Sequence, residues 1–323
     1  MQRRFFLGVL ASAYALAAHA SNKSYPQKSV RIIVGSTPGA LTDVASRVYA
    51  EKITGKFGVP VVVENIAGAS STIAINSFLK TEPDGYTLLA VANTVYTFPH
   101  LNDKANYSPI KDFVPVAELA RGPGVLVVNG KSPHKTLAEF IAAAKKNSSG
   151  LSYASGGMGT TSHLPMEMFQ KEAEVELLHV PYKGVAPAVI DLIGGRVDSM
   201  MGTPTSMLAA LKSGQIRPLA ITSEERSAEF PDIPTFKELG FPKVTYIIYI
   251  SLVARAGISK DMRNDIAATF NAVKNDPALL SNLSKLGQEV DLKMNDMKAL
   301  DKFLLEDEAK YAKLIKENNI RME

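Results

Sequence analysis

The chain has 323 residues, of which 46% are hydrophobic, with a formal net charge of +4 and no cysteine. This charge is too close to neutral to indicate a nucleic acid or a membrane surface as a partner. The lack of cysteine excludes disulfides, thiolate metal sites and cysteine nucleophiles, and the length suggests two domains held by burial alone.

The first twenty residues have the three parts of a secretory signal peptide. Arg3 and Arg4 form a basic region, residues 5–18 are apolar, and Ala18-His19-Ala20 is an Ala-x-Ala processing site. The apolar run is shorter than the roughly 20 residues that a membrane-spanning helix needs. We therefore predict export to the periplasm with cleavage after Ala20, which lowers the net charge to +2 because two arginines and no acid are removed. The paired arginines also resemble a twin-arginine signal, so the export route stays open.

The chain then alternates short β-branched runs with helical stretches, the pattern of parallel sheets covered by helices on both faces. Strands are predicted in the first part at 30–34, 59–64 and 86–92. Helices are predicted between them, near 42–56 and 71–81. Three βα units of this kind form one doubly wound half.

A second half of the same kind follows. Its predicted strands are 151–155, 176–180, 197–201 and 216–222, and its predicted helices lie near 161–171, 186–193 and 205–212. Thr136 with Glu139 three residues later is a capping box, which predicts the start of another helix.

Two apolar segments are candidates for crossing between the halves, 114–128 with its Gly122-Pro123-Gly124 break, and 245–253. The C-terminal part contributes helices near 259–274, 277–286 and 295–316 without a strand, and we expect it to pack on the first domain. The predicted fold class is α/β, with a signal peptide at 1–20, a discontinuous first domain at 21–121 plus 247–323, and a second domain at 122–246. Open α/β sheets bind ligands beyond the carboxyl ends of their strands, so a ligand cleft is expected between the domains.

The corner after the first predicted strand reads as a loop that opens a helix and matches neither the phosphate-loop nor the dinucleotide glycine pattern. A helix N-terminus carries roughly half a positive charge and unpaired N–H donors, so a carboxylate fits better. The candidate ligand contacts here are Ser36, Thr37, Pro38, Gly39, Ala40, Thr42 and Asp43. Asp43 is interpreted either as a partner of the helix dipole or as the group that selects a ligand amine.

The next two corners extend this site. Their candidate contacts are Asn65, Gly68, Ala69, Ser70 and Ser71 after the second strand, and Asn93 and Thr94 after the third. Small residues at βα corners also serve tight packing alone, and one such loop leaves the two interpretations open. Several loops together favour a ligand site.

The glycine-rich bend after 151–155 is the strongest candidate for an anion loop, because glycines and hydroxyl residues lead there into a helix. The candidates in the second half are Ser155, Gly156, Met158, Gly159, Thr160, Thr161, His163, Tyr182, Lys183, Gly202 and Thr203. Tyr182 could form a wall of the cleft and Lys183 could add charge, although an exposed lysine at a helix start is often only solvated.

Catalytic and metal-binding patterns are missing from these loops. We find no carboxylate, cysteine or second histidine at metal-ligand spacing from His163, which fits a residue that orients its loop. The sequence has no Gly-x-Ser-x-Gly elbow, no His-Glu-x-x-His run and no pair of acids in the candidate loops. We therefore expect a binding protein and not an enzyme, with no catalytic residue, metal or cofactor.

A set of motifs is spread over the whole length that follows the signal peptide. They are Ser24-Tyr25-Pro26-x-Lys28, Pro38-Gly39-x-x-x-Asp43, Val61-Val62-Val63-Glu64-Asn65 with Gly68-Ala69, Pro83-Asp84-Gly85-Tyr86-Thr87-Leu88-Leu89, Tyr153-Ala154-Ser155, Gly159-Thr160 with His163, His179-Val180-Pro181-Tyr182-Lys183-Gly184 and Pro231-Asp232-Ile233-Pro234-Thr235. In these motifs the chain resembles the Bug, or TctC-like, extracytoplasmic solute-binding receptors associated with tripartite tricarboxylate transporters.

The resemblance implies a fold like that of type II periplasmic binding proteins, with two doubly wound α/β domains joined by a two-segment hinge around a ligand cleft. It implies a monomeric receptor that closes on a small carboxylate, such as an organic, amino or aromatic acid, through loop amides, hydroxyls and water. The membrane subunits of a tripartite tricarboxylate-type transporter are the implied partner. A receptor that acts on a signalling partner is the alternative, followed by an exported enzyme of the same fold.

The chain departs from the family pattern mainly in the pocket. Family members usually carry Gly-Gly at Gly39-Ala40, Gly-Ala-Gly-Gly at Gly68-Ala69-Ser70-Ser71 and Arg-Pro at Ile66-Ala67. The corner Met201-Gly202-Thr203-Pro204 replaces a polar or acidic one, and a tryptophan common before the C-terminal domain is missing. These departures leave the identity of the ligand open.

Overall fold

A computed structural model describes residues 25–102, 105–146 and 150–317. The predicted signal peptide and its cleavage site after Ala20 lie outside this range. Within it, no helix combines the length and the apolar character needed to cross a membrane.

The described residues form strands and helices that alternate along most of the chain. In chain order the strands are β1 (Val30–Val34), β2 (Val61–Asn65), β3 (Thr87–Ala92), β4 (Phe113–Pro123), β5 (Val125–Asn129), β6 (Ser152–Ser155), β7 (Leu178–Pro181), β8 (Ser199–Gly202), β9 (Ile216–Ile221) and β10 (Ile247–Arg255). The helices are α1 (Leu41–Phe57), α2 (Thr72–Phe78), α3 (Thr94–Leu101), α4 (Pro109–Asp112), α5 (Leu137–Lys146), α6 (Leu164–Ala173), α7 (Val185–Ile193), α8 (Pro204–Lys212), α9 (Lys260–Asn271), α10 (Pro277–Ser284) and α11 (Met297–Glu317). The predicted α/β class is confirmed.

The strands form two five-stranded sheets of the same design, in the orders β2-β1-β3-β10-β4 and β7-β6-β8-β5-β9. We call the first sheet with its helices the first lobe and the second sheet with its helices the second lobe. The expectation of parallel sheets is wrong for part of each, because β10 runs antiparallel to β3 and β4, and β5 antiparallel to β8 and β9. Both β5 and β10 follow directly from the segments that cross between the lobes, and so they enter their sheets in the opposite direction.

The two crossing segments differ in length. Gly124 alone separates β4 from β5, whereas residues 222–246 separate β9 from β10. The Gly124 N–H donates to the hydroxyl of Thr222 over 2.8 Å, and that hydroxyl donates to the Tyr246 carbonyl over 2.5 Å. The two crossings are therefore tied side by side. The domain boundaries proposed from the sequence, 21–121 plus 247–323 and 122–246, stay a prediction.

The first lobe has its core on both faces of β1, which is why that strand reads as an unbroken apolar run. Ile32 and Ile33 are fully buried and face opposite sides of the sheet. Tyr49 of α1 packs on one side and Phe78 of α2 on the other. Burial of a side chain of the size of Phe78 contributes about 1.5–3 kcal/mol. Helices α9 and α10 pack on the same side of the sheet as Tyr49, and α11 contributes side chains to both sides. The C-terminal helices therefore pack on this lobe.

The helix beginnings show how local sequence sets the elements. Half of the capping box predicted at the start of α5 forms, since the Glu139 N–H donates to the Thr136 hydroxyl over 3.2 Å. The Glu139 carboxylate accepts from the Lys135 N–H over 2.6 Å. Helix α3 was not predicted, because Pro99 lies inside it and breaks the helical pattern that the sequence shows.

Candidate functional site

A cavity of about 580 Å³ lies between the lobes, at the carboxyl ends of β1, β2, β3, β6, β7 and β8. Loops from both lobes line it, as expected for facing α/β sheets. The predicted site residues that line it are Ser36, Thr37, Ala40, Thr42, Gly68, Ala69, Ser70, Ser71, Thr94, Gly156, Met158, Thr160, Thr161, Tyr182, Lys183, Gly202 and Thr203. Those that do not line it are Pro38, Gly39, Asp43, Asn65, Asn93, Ser155, Gly159 and His163.

The first loop, residues 35–40, is braced from behind by Asp43. One Asp43 carboxylate oxygen accepts from the Gly39 N–H over 2.9 Å, and the other accepts from Arg47 Nε over 2.9 Å and from Asn65 Nδ2 over 3.0 Å. Asp43 is buried, and its lone pairs face these donors and not the cavity. The suggestion that Asp43 selects a ligand amine is therefore not supported, because its position makes it a brace of the loop.

The first turn of α1 faces the cavity without a cap. Ala40 precedes the helix and provides no side-chain cap for its first turn. Leu41 and Thr42, the first two helical residues, line the cavity. Nearby, the hydroxyl oxygen of Ser36 is buried and has no hydrogen-bond partner among the described residues. This end of the cavity thus offers N–H donors and a hydroxyl to an anion.

The second loop, residues 66–71, has an unusual backbone. Ala69, Ser70 and Ser71 have φ of 45°, 51° and 72°, a left-handed conformation that side chains normally avoid. The Ser71 hydroxyl donates to the Gly35 carbonyl over 3.1 Å, which joins this loop to the first. The predicted convergence of the two corners is therefore present in the structure.

Of the two residues predicted at the third corner, Thr94 lines the cavity and Asn93 does not. Asn93 is fully buried, and its Nδ2 donates to the Tyr246 hydroxyl over 2.9 Å and the Ile247 carbonyl over 3.3 Å. It holds the crossing segment and lies behind the cavity wall. Thr94 reaches the cavity.

The glycine loop, residues 156–163 of the second lobe, uses its own glycine N–H groups. Gly156 donates to the Ser162 hydroxyl over 2.8 Å, Gly157 to the Ser155 hydroxyl over 3.2 Å, and Gly159 to His163 Nδ1 over 3.1 Å. Those donors are therefore unavailable to a ligand. The residues of this loop that line the cavity are Gly156, Gly157, Met158, Thr160, Thr161 and Ser162.

Three stacked rings lie beneath the glycine loop. The His179 ring lies between Tyr153 and His163, with centroid distances of 4.6 and 4.4 Å. Burial lowers the pKa of His163 to about 4, and burial together with the neighbouring His163 lowers the pKa of His179 to about 4. The expectation that no carboxylate lies at ligand spacing from His163 is wrong, because Glu167 Oε1 lies 3.7 Å from His163 Nε2. Within the described residues no group of three metal-binding side chains exists around them or elsewhere.

The lobes touch across the cavity. The Ser70 hydroxyl donates to the Met158 carbonyl over 2.6 Å. A Cβ at Gly184 would lie 2.9 Å from Thr37 Cγ2, so the start of α7 also meets the first loop. Direct contacts between the two lobes therefore border the cavity.

Charge inside the cavity is sparse. Among the described residues that line the cavity, Lys183 is the only ionisable side chain apart from the Tyr182 phenol, and that phenol donates to Asp191 over 2.8 Å. Apolar contacts come from Ile73, Val185 and the crossing strand β10, whose Ile248 and Ile250 form part of the wall. An anion with an apolar body matches these surroundings.

Sequence reasoning missed part of the lining. The missed residues are Gly35, Leu41, Ala67, Ile73, Ala90, Val91, Ala92, Gly157, Ser162, Gly184, Val185, Ser206, Ile248 and Ile250. Most are neighbours of predicted residues, and extension of each corner by one or two positions would have found them. Ile248 and Ile250 carry no such signal, because they lie within an apolar strand that reads as core.

Comparison with known proteins gives consistent matches. The family model described as "Tripartite tricarboxylate transporter family receptor" matches residues 45–320. The chain is 37% identical over 297 residues to a Cupriavidus necator protein described as "UPF0065 protein in gbd 5'region", covering 90% of each chain.

Solved structures agree with that match. The structure of the periplasmic binding protein BugD has a TM-score of 0.87 and 31% identity, covering 93% of this chain and 100% of BugD. MatC from Rhodopseudomonas palustris, solved with malate, has a TM-score of 0.84 and 26% identity, covering 90% of this chain and 100% of MatC. Another R. palustris protein, solved with adipate, has a TM-score of 0.87 and 28% identity, covering 92% of this chain and 99% of that protein.

Proposed function

This chain belongs to the tripartite tricarboxylate transporter receptor family, and from that premise we propose that it captures a small carboxylate between its lobes and delivers it to a membrane transporter of that type. Its family and fold are those of periplasmic solute-binding receptors of the Bug and TctC kind. The proposal adds the class of ligand and the partner.

The uncapped first turn of α1 carries the proposal. Its N–H donors and the buried Ser36 hydroxyl belong to the lining of a cavity that has no carboxylate side chain among its described residues. Such an end favours a carboxylate, because about half a positive charge from the helix dipole adds to unpaired donors. Lys183 supplies further positive charge from the opposite lobe.

The bound molecules of two related structures support the same class. MatC was solved with malate and the second R. palustris protein with adipate, and both are dicarboxylic acids. The apolar wall of Ile73, Val185, Ile248 and Ile250 would take the carbon chain of such an acid. Organic, amino and aromatic acids all remain within the proposal.

The proposed setting follows from the family and the N-terminal sequence. We infer export with cleavage after Ala20, a monomeric mature protein, and recognition of the closed lobes by the transporter subunits. A receptor for a signalling protein would use the same closed surface, so transport assays with the membrane subunits distinguish the two. Catalysis is not proposed, because the residues that the structure describes in the lining include no acid–base pair.

A thermal-unfolding screen of residues 21–323 tests the ligand class. The panel contains dicarboxylates, tricarboxylates, acidic amino acids, aromatic acids and uncharged amides of the same acids. A ligand at 100 times its Kd adds about 2.7 kcal/mol to the free energy of unfolding. We expect stabilisation by one class of acid and none by its amides.

Ser36→Ala provides the site control for that screen. The variant should lose part of the stabilisation by the acid, whereas Ser281→Ala, an exposed serine of α10, should retain all of it. Equal stabilisation by acids and amides would contradict the carboxylate proposal. No stabilisation in any arm, with no ligand released from the unfolded protein on mass analysis, would contradict it as well.

A further inference from the structure

One peptide group of the glycine loop is held from both sides. Its carbonyl belongs to Met158 and accepts from the Ser70 hydroxyl of the first lobe over 2.6 Å. Its N–H belongs to Gly159 and donates to His163 Nδ1 of the second lobe over 3.1 Å. The same rigid peptide plane therefore joins a buried histidine to the contact between the lobes.

The backbone around this peptide fixes its direction. Gly157 and Gly159 have φ of 127° and 70°, which only glycine adopts readily. The Gly157 carbonyl accepts from the Thr160 hydroxyl over 2.6 Å and from the Ser155 hydroxyl over 3.1 Å. The loop is thus anchored on both sides of Met158, and the carbonyl of Met158 is left to face the first lobe.

His163 has one state that suits this contact. Its Nδ1 must carry a lone pair to accept from Gly159, which leaves the proton on Nε2, 3.7 Å from Glu167 Oε1. Only 4% of its surface is exposed, and the His179 ring stacks on it. It does not line the cavity, so any effect on the ligand must pass through the loop.

We propose that the Met158–Gly159 peptide is the closure latch of this receptor, with Ser70 as its partner across the cleft and His163 as the residue that positions it. The proposal rests on the proposed function, since a latch matters only in a protein that opens and closes on a ligand. His163 is a positioning residue here, and Ser70 forms the contact itself.

The latch has an acid-sensitive consequence. Protonation at Nδ1 makes this atom of His163 a donor, so it no longer accepts from the Gly159 N–H. The two N–H groups then repel each other, and the Met158–Gly159 peptide rotates away from Ser70. The ionisable groups that face His163 are His179 on β7, Tyr153 on β6 and Glu167 on α6, the helix that begins directly after His163. Burial lowers the pKa of His163 to about 4, so the latch holds at neutral pH and weakens near that value.

The absence of native cysteine allows a direct test of closure. Glu51 of α1 and Lys212 of α8 are exposed on different lobes, so Glu51→Cys and Lys212→Cys accept a donor and an acceptor dye. Single-molecule energy transfer then gives the ratio of closed to open molecules, without ligand and with malate or adipate as probes. Four backgrounds are compared: the parent pair, Ser70→Ala, His163→Leu, and both substitutions together.

We expect Ser70→Ala and His163→Leu each to lower the closed-to-open ratio about fivefold, the effect of one hydrogen bond. The double variant should fall no further than either single one, because both act on the same peptide. The side-chain oxygen of His163→Asn can accept from the Gly159 N–H as Nδ1 does. This variant should therefore have the parent closed-to-open ratio at pH 7, and its ratio should not decline toward pH 4. Circular dichroism of each variant confirms that it is folded.

Additive effects in the double variant, or an unchanged ratio in His163→Leu, would overturn the latch. So would an equal loss in His163→Asn, since that would mean a role in packing alone. If the parent pair binds neither probe, the result counts against the dicarboxylate form of the proposed function. The ligand-free ratios still decide the latch in that case.

Discussion

Gly35 and Ser71 are in contact where the first two loops of the first lobe meet. The Ser71 hydroxyl donates to the Gly35 carbonyl over 3.1 Å. A Cβ on Gly35 would lie 2.5 Å from the Ser71 Cβ, closer than real carbon atoms approach. The two loops can therefore share one end of the cavity only because residue 35 has no side chain.

Gly35→Ala should separate these loops. Overpacking of this kind costs about 1–3 kcal/mol of unfolding free energy, and the displaced Ser71 should also reduce ligand-induced stabilisation. Gly55→Ala is the matched control, because a Cβ there meets nothing within 4 Å and the residue lies inside α1, where alanine is favoured. Urea unfolding with and without the acid from the screen measures both effects. A variant as stable as wild type with unchanged binding would show that the loops can move apart freely.

The left-handed run of the second loop predicts a stabilising substitution. Ala69 has a φ of 45°, which costs an L-residue roughly 1–2 kcal/mol, so Ala69→Gly should raise the free energy of unfolding by about 0.5–1 kcal/mol after the added freedom of the unfolded chain is subtracted. Ala142→Gly, at an exposed position of α5, should instead lower it by about 1 kcal/mol. Chemical denaturation of the ligand-free protein compares the two. If both substitutions lower the free energy of unfolding, the backbone at Ala69 is not strained.

Asp43→Asn tests whether Asp43 stabilises the first loop or contacts the amine of a ligand. The carboxylate accepts from three donors, and an amide can offer only one acceptor atom to them, so we expect a loss of about 1–3 kcal/mol in stability. Because the damage passes through the first loop, affinities for an amino acid and for the matching acid without an amine should fall by the same factor. Calorimetric titration with such a pair tests this. A loss confined to the amino acid would restore Asp43 as the amine-selecting group.

Glu306→Gln is a suitable control for that experiment. Glu306 forms an exposed pair with Lys302 at 3.8 Å, and such surface pairs contribute about 0–1 kcal/mol. Its removal should leave both affinities unchanged.

The buried histidines predict how stability depends on pH. His163 has a folded pKa of about 4 against about 6.5 when unfolded, so the unfolded chain binds the proton more tightly. Stability from this residue is full above pH 6.5 and is lost as pH falls toward 4, by about 2–3 kcal/mol. Urea unfolding of wild type and of His163→Asn from pH 4 to pH 7 gives the difference in their free energies of unfolding at each pH. This difference separates the contribution of His163 from that of other groups. A difference that does not change with pH would contradict it.

The sequence predicts the βα corners well and their internal bonding poorly. The strand β1 and the helix α1 are legible because a β-branched run and a helical apolar period are local signals. The stack of His163 on His179 and the brace of Asn65 on Asp43 join residues far apart in the chain, and no spacing rule describes them. The glycine loop is a second example. Its composition predicts N–H donors for an anion, but in the folded loop three glycine N–H groups donate to nearby side chains.

Lys183→Met tests whether charge or fixed N–H donors hold the anion. Lys183 is the only cation in the described part of the lining and is exposed, so its attraction for a carboxylate is screened by water. We expect affinity for the acid to fall only about two- to fivefold, the equivalent of about 0.5–1 kcal/mol, with a smaller dependence on salt. Lys171→Met, on an exposed position of α6, should change neither quantity. Calorimetric titration at two salt concentrations gives the result, and a loss of more than a hundredfold would move the centre of recognition from the first turn of α1 to the lysine.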